Sequence, residues 1–380
     1  MKVTNFAPGP TPVPDRVVRK MSAPVLTHRS TEFSDLLRQV ASGLQHVFQT
    51  KNDVLVLTTS GSGAMEAAVV NLLSPGDRVL AISGGKFGGR WVELCATFGI
   101  DAVTLEVEWG TAADPDAVDR ILGEQGPFEA VLATHSETST GVLYDIEVLG
   151  RIARGHGCFL VVDAISGLGA NELRTDDWHV DIALTGSQKA LMIPPGLAFI
   201  SVSERAWKRI EGNRQPSYYL NLKRARDSFT KGLTPYTPAV SLLMGLAESL
   251  RMMKELGLEE IYRIHERNAL VTRAGVAALG LNLFARRPSN VLTSVVMPPG
   301  IDGSDLLKTI KQDCGVTIAN GMDHYRGKYV RIAHLGYNVA PSDMIVAVSA
   351  LEHGLSQHGY AFVESGAGVA AAERVIRETA

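Results

Sequence analysis

The chain has 380 residues, which suits two cores better than one small one. Hydrophobic residues make up 45% and the net charge is −3, so wholesale disorder and a basic face for nucleic acid are both excluded as expectations. The three cysteines, Cys95, Cys158 and Cys314, are far apart and form no C-x-x-C pair, so neither a disulfide framework nor a metal site is expected and a reducing compartment fits. The start, MKVTNFAPGPTPVP, has no apolar stretch after a basic end and does not read as a signal peptide. No run reaches the roughly 18 apolar residues that span a bilayer. The expectation is a soluble cytoplasmic protein with neither a membrane nor a nucleic-acid partner.

After the Pro-rich start, Phe33, Leu36, Leu37, Val40, Leu44 and Val47 predict an amphipathic helix over Thr31–Phe48. Short apolar runs follow at Val54–Leu57, Val79–Ile82, Ala102–Leu105, Ala130–Ala133, Phe159–Val162, Ile182–Leu184 and Leu197–Val202. Each is short and nearly continuous, as strands buried on both faces are. Helical patterns lie between most of them, which predicts an α/β fold with a mainly parallel seven-stranded sheet. From about Pro238 the pattern changes to two long helices, Ala239–Leu256 and Leu258–Leu279. Beyond Ser289 come β-like runs at Leu292–Met297 and Tyr329–Ala333, with helices at Ser304–Asp313 and Pro341–His353. This reads as a smaller C-terminal α+β domain. The expected division is an N-terminal segment 1–20, a large domain 21–257 and a small domain 258–380. The tail from Glu364 is either a surface helix or frayed.

In doubly wound sheets, ligands bind outside the carboxyl ends of the strands, so the residues just after each run carry the argument. Thr58 to Glu66 (TTSGSGAME) follows the first run and opens a helix, where backbone N–H groups and the helix N-terminus favour an anion. It lacks the third glycine of G-x-G-x-x-G and the lysine of a P-loop, so a nucleotide-binding reading is poor. Asp163 closes the fifth run, where a carboxylate would pair with a cationic ring nitrogen. Lys189 follows the sixth run among small and apolar residues, where a partly desolvated amine can form a Schiff base. Alone, each has an ordinary reading: a strand–helix turn, a capping aspartate, a lysine reaching the surface. Together, and in this order, they are the set that pyridoxal phosphate requires.

These residues resemble the class V aminotransferases of fold type I, nearest to the alanine–glyoxylate and serine–pyruvate group. The resemblance runs from Pro8-Gly9-Pro10-Thr11 to Arg331–Gly336 and is strongest at Gly186–Leu191 with Pro194-Pro195-Gly196. His135–Gly141 (HSETSTG) and Val162-Asp163-Ala164 support it. The resemblance implies Lys189 as the Schiff-base lysine and Asp163 as the partner of the ring nitrogen. It implies Ser62, Gly63, Ala64 and Gln188 on the phosphate, and Thr138 near the ring hydroxyl or the substrate. Phe87 falls where many relatives stack a tryptophan, which keeps the stacking but loses indole area and its N–H. Tyr236 and Thr237 match a segment that reaches the neighbouring subunit's phosphate, which implies a homodimer. Arg331 would clamp the substrate carboxylate, with Pro8 and Gly9 close by. His28 and Arg29 match a pair near the substrate mouth in relatives, His334 either lines the pocket or fills space, and Arg29 or Arg326 would be the second arginine that a dicarboxylate needs. The segment Asn320–Lys328 reads as a loop over the site.

The function so implied is ping-pong transamination through pyridoxamine phosphate. Alanine or serine would be the donor, and glyoxylate or pyruvate the acceptor. The rivals are another pyridoxal-phosphate reaction on this fold, such as a lyase or an aminophosphonate or aspartate transaminase. A desulfurase would need a mobile nucleophilic cysteine, for which Cys314 is the candidate to test. A non-catalytic subunit that keeps the fold is the rival from another class.

Overall fold

The computed structural model describes residues 4–213, 215–337 and 340–379. Seven strands form the main sheet: β1 (Val54–Leu57), β2 (Arg78–Ser83), β3 (Asp101–Glu106), β4 (Ala130–Thr134), β5 (Phe159–Asp163), β6 (Ile182–Gly186) and β7 (Ala198–Val202). Their spatial order is β1-β7-β6-β5-β4-β2-β3. Only β7 is reversed, pairing antiparallel with both β1 and β6. The other six therefore share one direction, and their carboxyl ends lie along one edge.

The strands are short because each needs only to cross a core that is covered on both sides. Alternate residues enter two different apolar clusters: Val56, Ile82, Val131, Val162 and Phe199 on one face, and Leu57, Ala81, Leu132, Val161 and Ile200 on the other. The helices over these faces are α1 (Asp15–Met21), α2 (Thr31–Phe48), α3 (Gly61–Leu72), α4 (Lys86–Thr97), α5 (Pro115–Gln125), α6 (Ile146–Gly155), α7 (Glu204–Gly212) and α8 (Leu222–Phe229). The bounds of α2 are those its periodicity predicts. Ser30 caps it by accepting from Phe33 N (3.3 Å), and Gln49 ends it in the left-handed conformation. Helix α1 arises in the Pro-rich start, where its seven residues gave too short a pattern to read.

Helices α9 (Val240–Leu256) and α10 (Leu258–Ala278) lead to a second sheet of β8 (Leu292–Val296), β9 (Ala319–Asn320) and β10 (Tyr329–Ala333), in the order β8-β10-β9. Helices α11 (Gly303–Cys314), α12 (Pro341–Gln357) and α13 (Ala367–Glu378) complete a third apolar cluster with it. The tail is thus a helix with one buried face: Gly368 and Ala372 are buried against its neighbours. The N-terminal segment joins this second body. Thr4 and Asn5 pair parallel with Val316 and Thr317, and Ala333 N donates to Phe6 O (2.8 Å). Met1–Val3 of that segment lie outside the described residues. No helix among the described residues is long and apolar enough to cross a membrane.

Candidate active site

A cavity of about 160 Å³ opens at the carboxyl edge of the main sheet. Its walls come from the turns that follow β1, β2, β4, β5 and β6: Ser60, Gly61 and Ser62, then Phe87 and Arg90, then Thr138, Asp163, and last Gln188 and Lys189. The parallel arrangement brings together residues that are far apart in sequence, because each strand delivers its last residues to the same edge.

Lys189 Nζ lies against the N-terminal segment and donates to Pro8 O. Gly9 is required beside it: its φ is +128°, and a Cβ there would sit 2.7 Å from Nζ. Thr11 N donates to Gln188 O (3.0 Å) and Thr11 Oγ1 to Lys189 O (2.9 Å), which fixes the turn. Burial, together with the nearby Arg331 charge, lowers the Lys189 amine to about 8, and Asp163 only partly opposes this. Asp163 is 3% exposed, and its carboxylate accepts from Ile165 N at Oδ1 (2.8 Å). Burial pushes its carboxyl up to about 7. The protein thus holds an amine and a carboxylate whose ordinary charges are both poorly supported.

At the other end, Ser60 begins α3, and the first turn leaves the N–H groups of Gly61 and Ser62 without helical acceptors. Gly63 N and Ala64 N donate back to Ser60 O (3.0 and 3.3 Å). Ser60, Gly61 and Ser62 therefore line the cavity, whereas Gly63 and Ala64 sit one step deeper in the helix. Arg90 donates to Ser62 Oγ (3.0 Å), with its guanidinium 5.0 Å above the Phe87 ring. Gln188 Oε1 is buried without a partner.

Arg331 is 9% exposed in the middle of β10. Its Nε donates to Asn320 O and its Nη1 to Thr138 O, both at 2.8 Å. Among the described residues, no acidic side chain forms an ion pair with it. Thr138 Oγ1 donates to Ser166 Oγ. The other predicted positions lie elsewhere. Tyr236 and Thr237 line a separate surface pocket with Thr58 and Tyr219, and Tyr236 Oη is held by Arg224 Nη1 (3.1 Å). Exposed Arg29 reaches the same loop through Thr234 O (3.3 Å). Arg326 is exposed. His334 is fully buried with both ring nitrogens bonded, to Thr293 Oγ1 and Asn290 O, and fills space rather than lining the cavity. Cys95, Cys158 and Cys314 are all outside the cavity wall.

The profile of the family described as Aminotransferase class-V matches residues 3–334. The chain belongs to the class V aminotransferases. A serine–glyoxylate aminotransferase of Methylorubrum extorquens is 36% identical over 98% of this chain and 96% of its own. An L-aspartate–glyoxylate aminotransferase of Paracoccus denitrificans is 35% identical, with 98% and 96% covered. A protein of Synechococcus sp. (strain PCC 6716) named soluble hydrogenase, small subunit, is 42% identical, with 99% and 98% covered. The crystal structure of ureidoglycine–glyoxylate aminotransferase from Bacillus subtilis superposes with a TM-score of 0.95 at 31% identity, covering 99% of this chain and 98% of that one.

Aminotransferases of this class use pyridoxal phosphate, and the cavity of this one fits it. One end offers free N–H groups, a hydroxyl and a guanidinium, a donor set suited to a phosphate. The floor holds a buried carboxylate lacking a cation, and the far wall an amine of lowered proton affinity. Sequence reasoning missed Arg90, Ile165 and Ser166, which line the cavity, and took in Ser60, Gly61 and Ser136 only as parts of motifs. Arg90 had a signal: it lies three residues after Phe87, on the same helix face. Ser166 had little, since its place depends on how the turn after β5 folds.

Proposed function

We propose that this aminotransferase moves the amino group of a small monocarboxylic amino acid, serine or alanine, to glyoxylate or pyruvate. The observation that carries the reading is Arg331: a buried guanidinium without an acidic partner, held by two carbonyls beside the Lys189 amine. Such a group is complete only when it meets an anion, and the planar fork suits a carboxylate. The names of three relatives reported above share glyoxylate as acceptor, which supports that choice.

When bound, pyridoxal phosphate supplies an aldehyde that takes up the amino group and a ring that draws electrons from the substrate α-carbon. In this reading Lys189 would hold the cofactor when no substrate is bound, and its amine, once free, would carry a proton to and from the substrate α-carbon. Asp163 holds a proton on the ring nitrogen. Ser60, Gly61, Ser62 and Gln188 hold the phosphate, joined by Arg90, while Gly63 and Ala64, expected there from the sequence, lie behind them in the first turn of α3. Phe87 stacks on the ring, Thr138 lies beside the ring hydroxyl, and Pro8 and Gly9 close the site over Lys189. Residues 21–257 carry the cofactor and 258–380 carry Arg331. Tyr236 and Thr237 serve the partner's site in a homodimer, which is why they lie on a surface pocket here.

A second reading is a dicarboxylate donor such as aspartate. Arg29 favours it, because it lies exposed and bonds to Thr234 O of the loop that would cross to the partner. Initial rates with serine, alanine and aspartate against glyoxylate decide between the two. The first reading expects parallel double-reciprocal lines and higher kcat/KM with serine or alanine. A preference for aspartate moves the donor to the second reading. Turnover with none of them and no cofactor binding would leave the non-catalytic subunit.

A further inference from the structure

Glu137 is 1% exposed, and no basic side chain among the described residues pairs with it. Its carboxylate is nonetheless fully occupied. Oε2 accepts from Gly88 N (2.8 Å) and Phe87 N (3.1 Å). Oε1 accepts from Ser139 N (3.0 Å) and Ser139 Oγ (2.6 Å), and Ser139 Oγ accepts in turn from Lys86 N (3.0 Å). Lys86, Phe87 and Gly88 open α4, so these are N–H groups for which the helix has no acceptors. The position before them is Gly85, which has no capping side chain. A Cβ there would come within 2.4 Å of Glu137. The cap is therefore supplied from another strand, by Glu137 and Ser139 together.

The same loop holds the opposite wall of the site. Thr138 O accepts from Arg331 Nη1 (2.8 Å), and Ser139 O accepts from Tyr329 Oη. Tyr329 and Arg331 are two apart on β10 and project from one face. One buried carboxylate thus fixes the backbone of Phe87 on one side and, on the other, the loop whose carbonyls accept from Arg331 and Tyr329. Burial raises its proton affinity and the donors oppose this.

We infer that Glu137 is a positioning residue that ties the ring-facing Phe87 to the carboxylate-binding Arg331, so that cofactor and substrate are set at one fixed spacing. The inference rests on the roles proposed above for those two residues. Its own support is the pair of hydrogen-bond sets that meet at residues 137–139.

The test is Glu137→Gln, with Ser139→Ala as a second variant. Glutamine has the same shape, but its –NH2 must face either Phe87 and Gly88 N–H or Ser139 N–H, and both arrangements set donor against donor. Ser139→Ala removes one donor to Glu137 and the acceptor for Lys86 N, and keeps the rest. The measurements are pyridoxal-phosphate titration of the apoenzyme, visible circular dichroism of the loaded enzyme, and kcat and KM for donor and acceptor. Glu137→Gln is expected to weaken cofactor binding, change the dichroic band and lower kcat/KM by about ten- to a hundredfold, with KM rising for both substrates. Ser139→Ala should move the same readouts the same way by less, and it carries the test alone if Glu137→Gln does not fold. A lower melting temperature with unchanged cofactor titration, dichroism and KM would mean a purely structural cap and overturn the inference. Failure of the wild type to bind the cofactor would sink the functional reading instead, so the two failures are distinct.

Discussion

Two aspartates are buried at opposite ends of the main sheet, and the protein treats them differently. Asp181, just before β6, accepts from Leu160 N (3.0 Å), Ser203 Oγ (2.8 Å), and Arg205 Nη2 and Nε (2.7 and 3.1 Å). The Asp163 carboxylate, at the end of β5, accepts from Ile165 N, and among the described residues no other donor and no arginine pairs with it. Burial is similar, at 5% and 3% exposed, so solvent access does not separate them. The difference is partners. At the amino edge the fold closes its charges on each other. At the carboxyl edge it leaves Asp163 and Lys189 open toward one cavity, with the charge of Arg331 near enough to act on Lys189. Chemistry is expected where buried charge is left unfinished, at some cost in stability.

Substitutions at the two edges should therefore fail in different ways. The largest effect is expected for Lys189→Ala, which should lower kcat by about 10²–10⁴-fold and leave melting of the apoprotein almost unchanged or slightly raised. Steady-state rates beside a thermal melt check both halves. Arg331→Lys keeps the charge but loses the fork, so KM for donor and acceptor should rise about tenfold to a hundredfold while the cofactor still binds. A variant with normal KM would remove Arg331 from the substrate site. At the amino edge, Asp181→Asn should cost about 2 kcal/mol of stability, less than a fully buried pair because Arg205 is 29% exposed. It should not change kcat of the enzyme that remains folded, which denaturant melts and active-site-normalised rates will show.

The smallest effect has the opposite sign. Asp163 is pushed up to about 7 from an ordinary 3.8, so the folded apoprotein binds its proton more tightly than the unfolded chain. Its contribution to apoprotein stability is full below about pH 4 and is lost as pH rises through about 7. Asp163→Asn should flatten that loss and stabilise the apoprotein at pH 8 by about 1–3 kcal/mol, while weakening cofactor binding and turnover. Destabilisation by Asp163→Asn equal to that of Asp181→Asn would erase the contrast between the edges.

Much of this was legible in the chain because each signal was local. The α2 pattern, the seven apolar runs and the residue that ends each run needed only short windows of sequence. What was not legible depends on partners far away in sequence. The reversal of β7 follows from its pairing between β1 and β6, which no pattern inside Leu197–Val202 encodes. The depth of Gly63 and Ala64 below the cavity wall depends on Ser60 being the first residue of the α3 cap. Glu137 lay inside a quoted motif without a role. Its donors sit on α4, some fifty residues earlier in the chain. His334 stood beside the Arg331 strand and turned out to be core, since only the fold shows that Thr293 and Asn290 satisfy it.

The claim at the centre of this account is that Lys189 carries the cofactor. The most direct measurement is borohydride reduction of the enzyme loaded with pyridoxal phosphate, followed by peptide mapping by mass spectrometry. The account predicts a stable pyridoxyl adduct on Lys189, absent when excess L-serine or L-alanine is added before the borohydride. An adduct on a different lysine, or none at all in protein that is shown to be folded, would contradict it.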